Sequence, residues 1–204
     1  MTQYAFYFDG TRCTECKTCM FACKDYKDTD VDVNLRRVYE ITGGATDVDE
    51  AGCFTTSAVS YPVSVGCQHC DHPGCVLVEP DAISRDEETG LVQLDPDAVT
   101  DVETLVAACP YGAIQLDPAT GRASKCDGCI DRVRAGLKPV CVMACPCDAL
   151  DFGTVEEMAA KGERADIVPF PDPALTTPNL FVKPSRDARS FDDASVEIAN
   201  PLEV

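Results

Sequence analysis

The chain has 204 residues and 45% hydrophobic content, enough for one domain or two small ones, yet with 8 Phe, 6 Tyr and no Trp its large apolar side chains are few. Its formal charge of −18, from 35 acidic and 17 basic residues, excludes the basic footprint that a nucleic-acid partner needs. No basic segment leads into an apolar stretch at the start and no apolar run could cross a bilayer, so neither a secretory signal nor a transmembrane segment is expected.

Tyr4-Ala5-Phe6-Tyr7-Phe8 reads as a strand, with Asp9-Gly10 as a turn into the first cysteines. Those are Cys13, Cys16, Cys19 and Cys23, a C-x2-C-x2-C-x3-C run. A second group follows at Cys67, Cys70 and Cys75, where the fourth place in the frame is Glu79. Short strand signals come at Leu91–Leu94, Ala113–Leu116 and Ala149–Phe152, and long helical periodicity is absent. Between the first two of these strands only Cys109-Pro110 remains of a third group, and its spacing puts Val99, Val102 and Leu105 where three cysteines would stand. The fourth group is Cys126, Cys129, Cys141 and Cys145-Pro146, interrupted by an insertion. Thr154 and Glu157 stand in capping-box spacing, which predicts a short helix over 154–161 that Gly162 would end. Beyond it Pro169, Pro171, Pro173, Pro178, Pro184 and Pro201 predict an extended tail, whose Leu175, Leu180, Phe181 and Val182 offer apolar contacts for wrapping a partner.

An internal repeat underlies this order. Cys109-Pro110-Tyr111-Gly112-Ala113-Ile114 matches Cys145-Pro146-Cys147-Asp148-Ala149-Leu150, and Glu79-Pro80-Asp81-Ala82-Ile83 repeats the frame with Glu in the cysteine place. Ala82 leads to Thr89-Gly90 at the spacing by which Ala113 leads to Thr120-Gly121.

The spacing of the fourteen cysteines decides between disulfides and metal ligation. Three closely spaced thiolates can wrap one face of a [4Fe-4S] cube while the fourth completes a neighbouring cube. If groups one and four pair, Cys13, Cys16, Cys19 and Cys145 hold one cluster, and Cys126, Cys129, Cys141 and Cys23 hold a second. If groups two and three pair, Cys67, Cys70, Cys75 and Cys109 hold a third. A fourth cluster would need positions 79, 99, 102 and 105, and all four lack cysteine. Val99, Val102 and Leu105 then read as a hydrophobic plug at near-helical spacing, and Glu79 as a lost ligand. Cys53 and Cys147 are left over, and His69 and His72 read as supporting or surface residues, since cysteines already supply four ligands. A structural zinc protein is the alternative for an isolated CxxC pair such as Cys126 and Cys129, but the tight three-cysteine run favours cubes.

With these motifs the chain resembles the iron–sulfur subunits of the dimethyl sulfoxide reductase family of molybdopterin oxidoreductases. The resemblance runs over nearly the whole length, through Cys13 to Cys23, Gln68-His69-Cys70, Cys109-Pro110-Tyr111-Gly112, Lys125-Cys126-Asp127-Gly128-Cys129 and the tail from Pro173-Ala174-Leu175-Thr176 to Lys183-Pro184. It implies an α+β, tandem ferredoxin-like fold of two fused bacterial dicluster modules with short strands, short helices and an extended C-terminal tail. The expected modules are 1–50 with 118–152, carrying two clusters, and an inserted 51–117, with one cluster kept and one lost; 153–204 would be the helix and tail.

Most such subunits carry four clusters, and the three-cluster pattern resembles the small subunit of pyrogallol–phloroglucinol transhydroxylase. The implied function is a non-catalytic, anaerobic electron wire serving a large catalytic subunit with a bis-guanine-dinucleotide molybdopterin: a reductase, dehydroxylase or transhydroxylase. The order from that subunit would be the Cys13 cluster, then the Cys126 cluster, then the Cys67 cluster, with a soluble electron donor as a further partner. Location would be cytoplasmic, or exported with a partner that bears a twin-arginine signal. A free-standing polyferredoxin is the second reading.

Overall fold

A computed structural model describes residues 2–203. In chain order its elements are β1 (Tyr4–Asp9), α1 (Thr18–Lys27), β2 (Arg36–Gly43), β3 (Thr46–Val48), β4 (Phe54–Thr56), β5 (Val59–Gly66), α2 (Gly74–Val78), β6 (Ile83–Arg85) and β7 (Val92–Leu94). There follow α3 (Val102–Ala107), β8 (Ile114–Asp117), β9 (Arg122–Lys125), α4 (Ile130–Arg134), α5 (Val140–Met143), β10 (Leu150–Thr154), α6 (Val155–Ala159), β11 (Glu163–Arg164), β12 (Leu180–Lys183) and β13 (Val196–Ile198). The architecture is mixed α/β, with short strands and short helices.

Four strands in the order β10-β1-β12-β11 form the largest sheet. The central β1 runs antiparallel to β10, with Phe6 opposite Phe152, and parallel to β12, with Tyr7 opposite Phe181. β1 is buried on both faces, which matches its run of Tyr4, Ala5, Phe6, Tyr7 and Phe8 without a polar alternation. The tail is therefore part of the core. Leu180, Phe181 and Val182, expected to cover a partner, are buried within the chain, and only Leu175 of that group remains exposed. The proline-rich segment reaches the sheet because the entry to β12 is fixed: Arg164 donates to Pro178 O and Asn179 Oδ1, and Asn179 donates to His69 O at 2.9 Å and to Asp71 Oδ1 at 2.8 Å.

The second sheet, β13-β2-β5, rests on the long β2–β5 hairpin. Tyr61, Val63 and Val65 alternate inward along β5 while Ser60 faces out. The β3–β4 hairpin beyond it is exposed and carries Cys53 near its turn.

The repeat has a structural counterpart. The β6–β7 and β8–β9 hairpins turn through Thr89-Gly90 and Thr120-Gly121, with both glycines at positive φ, 71° and 69°. In each, a threonine hydroxyl donates 2.7 Å to an aspartate three residues earlier, Asp86 or Asp117. The Thr154 capping box forms as expected. Gly162 plays another part: the helix ends at Ala160, and a Cβ at Gly162 would lie 2.5 Å from Val182 O, so the position requires close backbone approach.

Candidate metal centres

The cysteine loops curl because single residues within them adopt the left-handed conformation. Glu15 and Lys17 do so in the first group, at φ 60° and 58°, and Gly128 and Cys129 in the fourth, at 72° and 52°. Such a backbone folds amides toward the enclosed sulfurs. Gly128 N–H donates to Cys126 Sγ at 3.3 Å, Ala113 N–H to Cys109 Sγ at 3.4 Å and Ala149 N–H to Cys145 Sγ at 3.3 Å. The last two are equivalent bonds in the two Cys-Pro repeats, and each stabilises negative charge on sulfur.

The structure brings the expected sets together. Cys13, Cys16, Cys19 and Cys145 line one cavity, along with Phe8, Val38 and Ser64. Cys67, Cys70, Cys75 and Cys109 line another, along with Gln68, His69 and Lys125. Cys23, Cys141 and Cys129 are electrostatic neighbours, and Cys126 adjoins Cys23 and Cys141. Groups one and four are also tied by Lys27 Nζ to Asp127 Oδ2 at 2.7 Å and by packing of α1 on α5. Cys19 neighbours Cys141 as well as Cys145, and Cys67 neighbours Cys126, so the three sets form a continuous array.

Burial pushes the Cys13 and Cys75 thiols up to about 11 and the Cys23 and Cys70 thiols up to about 12. Left to themselves they would stay protonated, so iron must displace the protons, and cluster insertion releases them. Cys16 differs: it is exposed, and the Thr18 hydroxyl and amide lower its pKa. Among the described residues no three His, Cys, Asp or Glu side chains converge on the point a single ion would occupy. Sulfurs arranged around a cavity and surrounded by amide donors fit a polynuclear cube better than one zinc ion.

The four positions that lack cysteine in the repeat frame are filled or bonded within the chain. Leu105 is wholly buried with Ile83, Val92 and Ile114, and Val99 and Val102 pack against the same cluster. Glu79 turns its carboxylate to the start of α3, where Oε1 accepts from Asp101 N at 2.7 Å, Thr100 Oγ1 at 2.9 Å and Thr100 N at 3.1 Å. These bonds hold its pKa below the ordinary value. His72 is exposed and bonded to Thr177, Cys53 is exposed, and Cys147 lies at the rim of the Cys13 cavity, 3.5 Å from Thr14 Oγ1.

Sequence reasoning missed Arg36 and Ser64. Both are buried between the first two thiol sets, with Arg36 Nη1 donating to Ser64 Oγ at 3.1 Å and Ser64 Oγ 3.7 Å from Cys19 Sγ. Ser64 belongs to the Val59–Val65 alternation, a legible strand signal interrupted by Pro62.

Residues 59–155 match the model of a 4Fe-4S dicluster domain. The whole chain aligns with the B subunit of the anaerobic dimethyl sulfoxide reductase of Haemophilus influenzae, 45% identical over 205 residues and covering 100% of each protein. The chain belongs to the iron–sulfur electron-transfer subunits of the dimethyl sulfoxide reductase family. The corresponding subunit of Escherichia coli is 43% identical over 204 residues, covering 100% of this chain and 99% of that one. The thiosulfate reductase electron transfer subunit of Salmonella typhi is 37% identical over 161 residues, covering 76% of this chain and 78% of its own. Members of this family carry their electrons on [4Fe-4S] clusters, which accords with amide-lined thiol cavities and the dicluster match. No described helix is long and apolar enough to cross a membrane.

Proposed function

We propose that the chain holds three [4Fe-4S] clusters, one on Cys13, Cys16, Cys19 and Cys145, one on Cys126, Cys129, Cys141 and Cys23, and one on Cys67, Cys70, Cys75 and Cys109. They form a wire to or from a molybdopterin-containing catalytic subunit of dimethyl sulfoxide reductase type. The reading is carried by one contrast: twelve thiols line up in three neighbouring sets, while the four places a further cluster would need hold Leu105 in an apolar cluster, Val99 and Val102 against it, and Glu79 bonded to backbone.

The clusters supply one-electron transfer; the chain supplies burial, ligands and hydrogen bonds that set each potential. The paired hairpins and Cys-Pro turns support a tandem ferredoxin arrangement, residues 1–50 with 118–152 as one module and 51–117 as the other. The Cys13 set is the end that faces the catalytic partner, because Cys16 is exposed there, and the Cys67 set is the far end. Relatives named as subunits of reductases favour this complex over a free-standing polyferredoxin.

Anaerobic purification from the native host tests the proposal. A large molybdenum-containing chain should co-purify, with about twelve irons per copy of this subunit. Cys67→Ser or Cys109→Ser should each remove the same single EPR signal; loss of two different clusters would break the pairing, and about sixteen irons would break the count.

A further inference from the structure

The cavity of Cys67, Cys70, Cys75 and Cys109 holds two polar side chains that the rest of the chain leaves unanswered. His69 is 1% exposed, and its Nδ1 accepts a hydrogen bond from Val92 N–H at 3.0 Å. The ring proton therefore sits on Nε2, and that atom is buried with no partner in the protein. The neighbouring Gln68 is 2% exposed, with both amide atoms buried and unpartnered. Both residues line the cavity. Native interiors seldom leave a buried donor unmade, and an acceptor placed inside the cavity would satisfy His69 Nε2–H and the Gln68 Nε2 amide.

The loop that carries them is held firmly. Asn179, fully buried, donates to His69 O, and its own N–H donates to Gln68 O at 3.0 Å. The His69 ring stands 6.1 Å from Phe6 on the central strand. His69 itself has φ 46°, a left-handed conformation that turns the side chain away from an ordinary extended path. Lys125 lines the same cavity, its buried ammonium bonded to Val92 O and Cys126 O at 2.5 and 2.8 Å. Lys17, which lines the Cys13 cavity, is by contrast paired with Glu203.

We infer that His69 Nε2–H, assisted by the Gln68 amide, donates to a sulfur of the cluster held by Cys67, Cys70, Cys75 and Cys109 and raises that cluster's reduction potential. The inference rests on the three-cluster reading above. One added electron makes the cube more negative, so a fixed donor stabilises the reduced form more than the oxidised form. With the next socket closed by Leu105, this cluster ends the array, and the two side chains make it the port at which an electron settles. His69 is thus a positioning residue for charge and ligates nothing.

The test is an EPR-monitored redox titration of the whole complex, kept anaerobic. His69→Asn tolerates the left-handed backbone and keeps an acceptor for Val92 N–H, but has no donor at the Nε2 position. His69→Gln carries an amide to the Nε2 position and restores the donor. In the Asn variant the reduced-to-oxidised ratio of this one cluster at fixed potential should fall about tenfold, about 59 mV for one electron. The Gln variant should recover most of that shift, and Gln68→Met should move the same signal in the same direction by less. The other two clusters should not move.

An unshifted Asn variant, equal shifts in the Asn and Gln variants, or a common shift of all three clusters would overturn the proposal. So would loss of iron from both His69→Asn and Gln68→Met, because a tuning donor is dispensable for assembly. If instead the parent protein shows no cluster that depends on Cys67, it is the three-cluster reading that fails.

Discussion

Arg36 and Phe6 lie stacked, the guanidinium carbon 5.1 Å from the ring centroid, in an interior closed to water. Burial works against that charge, but the sulfurs of Cys141, Cys19, Cys126 and Cys23, once ionised, outweigh it and hold the guanidinium pKa above its ordinary value. A buried cation persists only where negative charge surrounds it. The two cubes proposed on either side provide that charge, and the cation in turn favours their reduced forms. Two unit charges 4 Å apart at an effective dielectric of ~20 interact by about 4 kcal/mol, and by about 2 kcal/mol at twice that distance. At the longer of those separations Arg36→Met should lower the potentials of both the Cys13 and Cys126 clusters by about 90 mV, with the Cys67 cluster less affected. Arg36→Lys should recover part of the shift. A redox titration that finds one cluster moved alone would place the charge nearer to that set than this arrangement allows.

Leu105, at the position where the proposed repeat would put a ligand, has no exposed surface. Leu105→Ala should cost about 2–4 kcal/mol through the cavity it leaves, and iron content should not change. Cysteine at Glu79, Val99, Val102 and Leu105 together should raise iron from about twelve to about sixteen per chain. Any three of the four should bring in less, since each cube needs its remote ligand as well as its run of three. Iron and acid-labile sulfide assays on anaerobically reconstituted protein decide the matter, and an unchanged count in the fourfold variant would show that the socket's backbone has been lost along with its ligands.

What the sequence reveals here follows from how local each constraint is. Cys13 to Cys23 and the two Cys-Pro turns could be read directly, because three or four residues of spacing fix where sulfurs and amides point. The apolar packing of Val99, Val102 and Leu105 follows their near-helical spacing, which the repeat brings into view. The tail misled: proline density suggested a strap for a partner, but Leu180–Val182 pair with Phe6–Phe8 some 170 residues earlier, and local composition carries no signal for such a pairing. Arg36 was invisible for a related reason. Its role depends on thiols from α1 and from the Cys126 and Cys141 segments, which only the fold gathers around it.

Asp151 on β10 joins two lysines, Lys138 Nζ at 2.5 Å and Lys161, and accepts from Phe152 N–H at 2.8 Å. Burial pushes its pKa up, but the two ammonium groups and the amide more than offset this and hold it at about 2, against an ordinary 3.8. A depressed carboxylate contributes stability that is complete above its unfolded pKa, near 3.8, and lost as pH falls through the folded value near 2. Discounted for the half-exposed lysines, the contribution is about 1–2 kcal/mol. Asp151→Asn should therefore be less stable by that amount in chemical denaturation at pH 7, and by the same amount at pH 5. A deficit that shrinks between those two values would mean that the carboxylate titrates higher than this network permits.

Cys16 and Cys13 sit three residues apart yet should react at opposite extremes. The thiolate is the nucleophile toward an alkylating reagent, so reactivity follows both ionisation and access. Cys16 is exposed, with the Thr18 hydroxyl and amide lowering its pKa, while burial pushes Cys13 up to about 11. In cluster-free chain at neutral pH, iodoacetamide should modify Cys16 well before Cys13, Cys23, Cys70 or Cys75, with exposed Cys53 also accessible. In anaerobic, cluster-loaded protein Cys16 should become protected, since an iron-bound sulfur is a poor nucleophile, while Cys53 stays open to reagent. Peptide mass spectrometry separates the positions, and a Cys16 that alkylates equally fast with and without clusters would remove it from the ligand set of the cube nearest the surface.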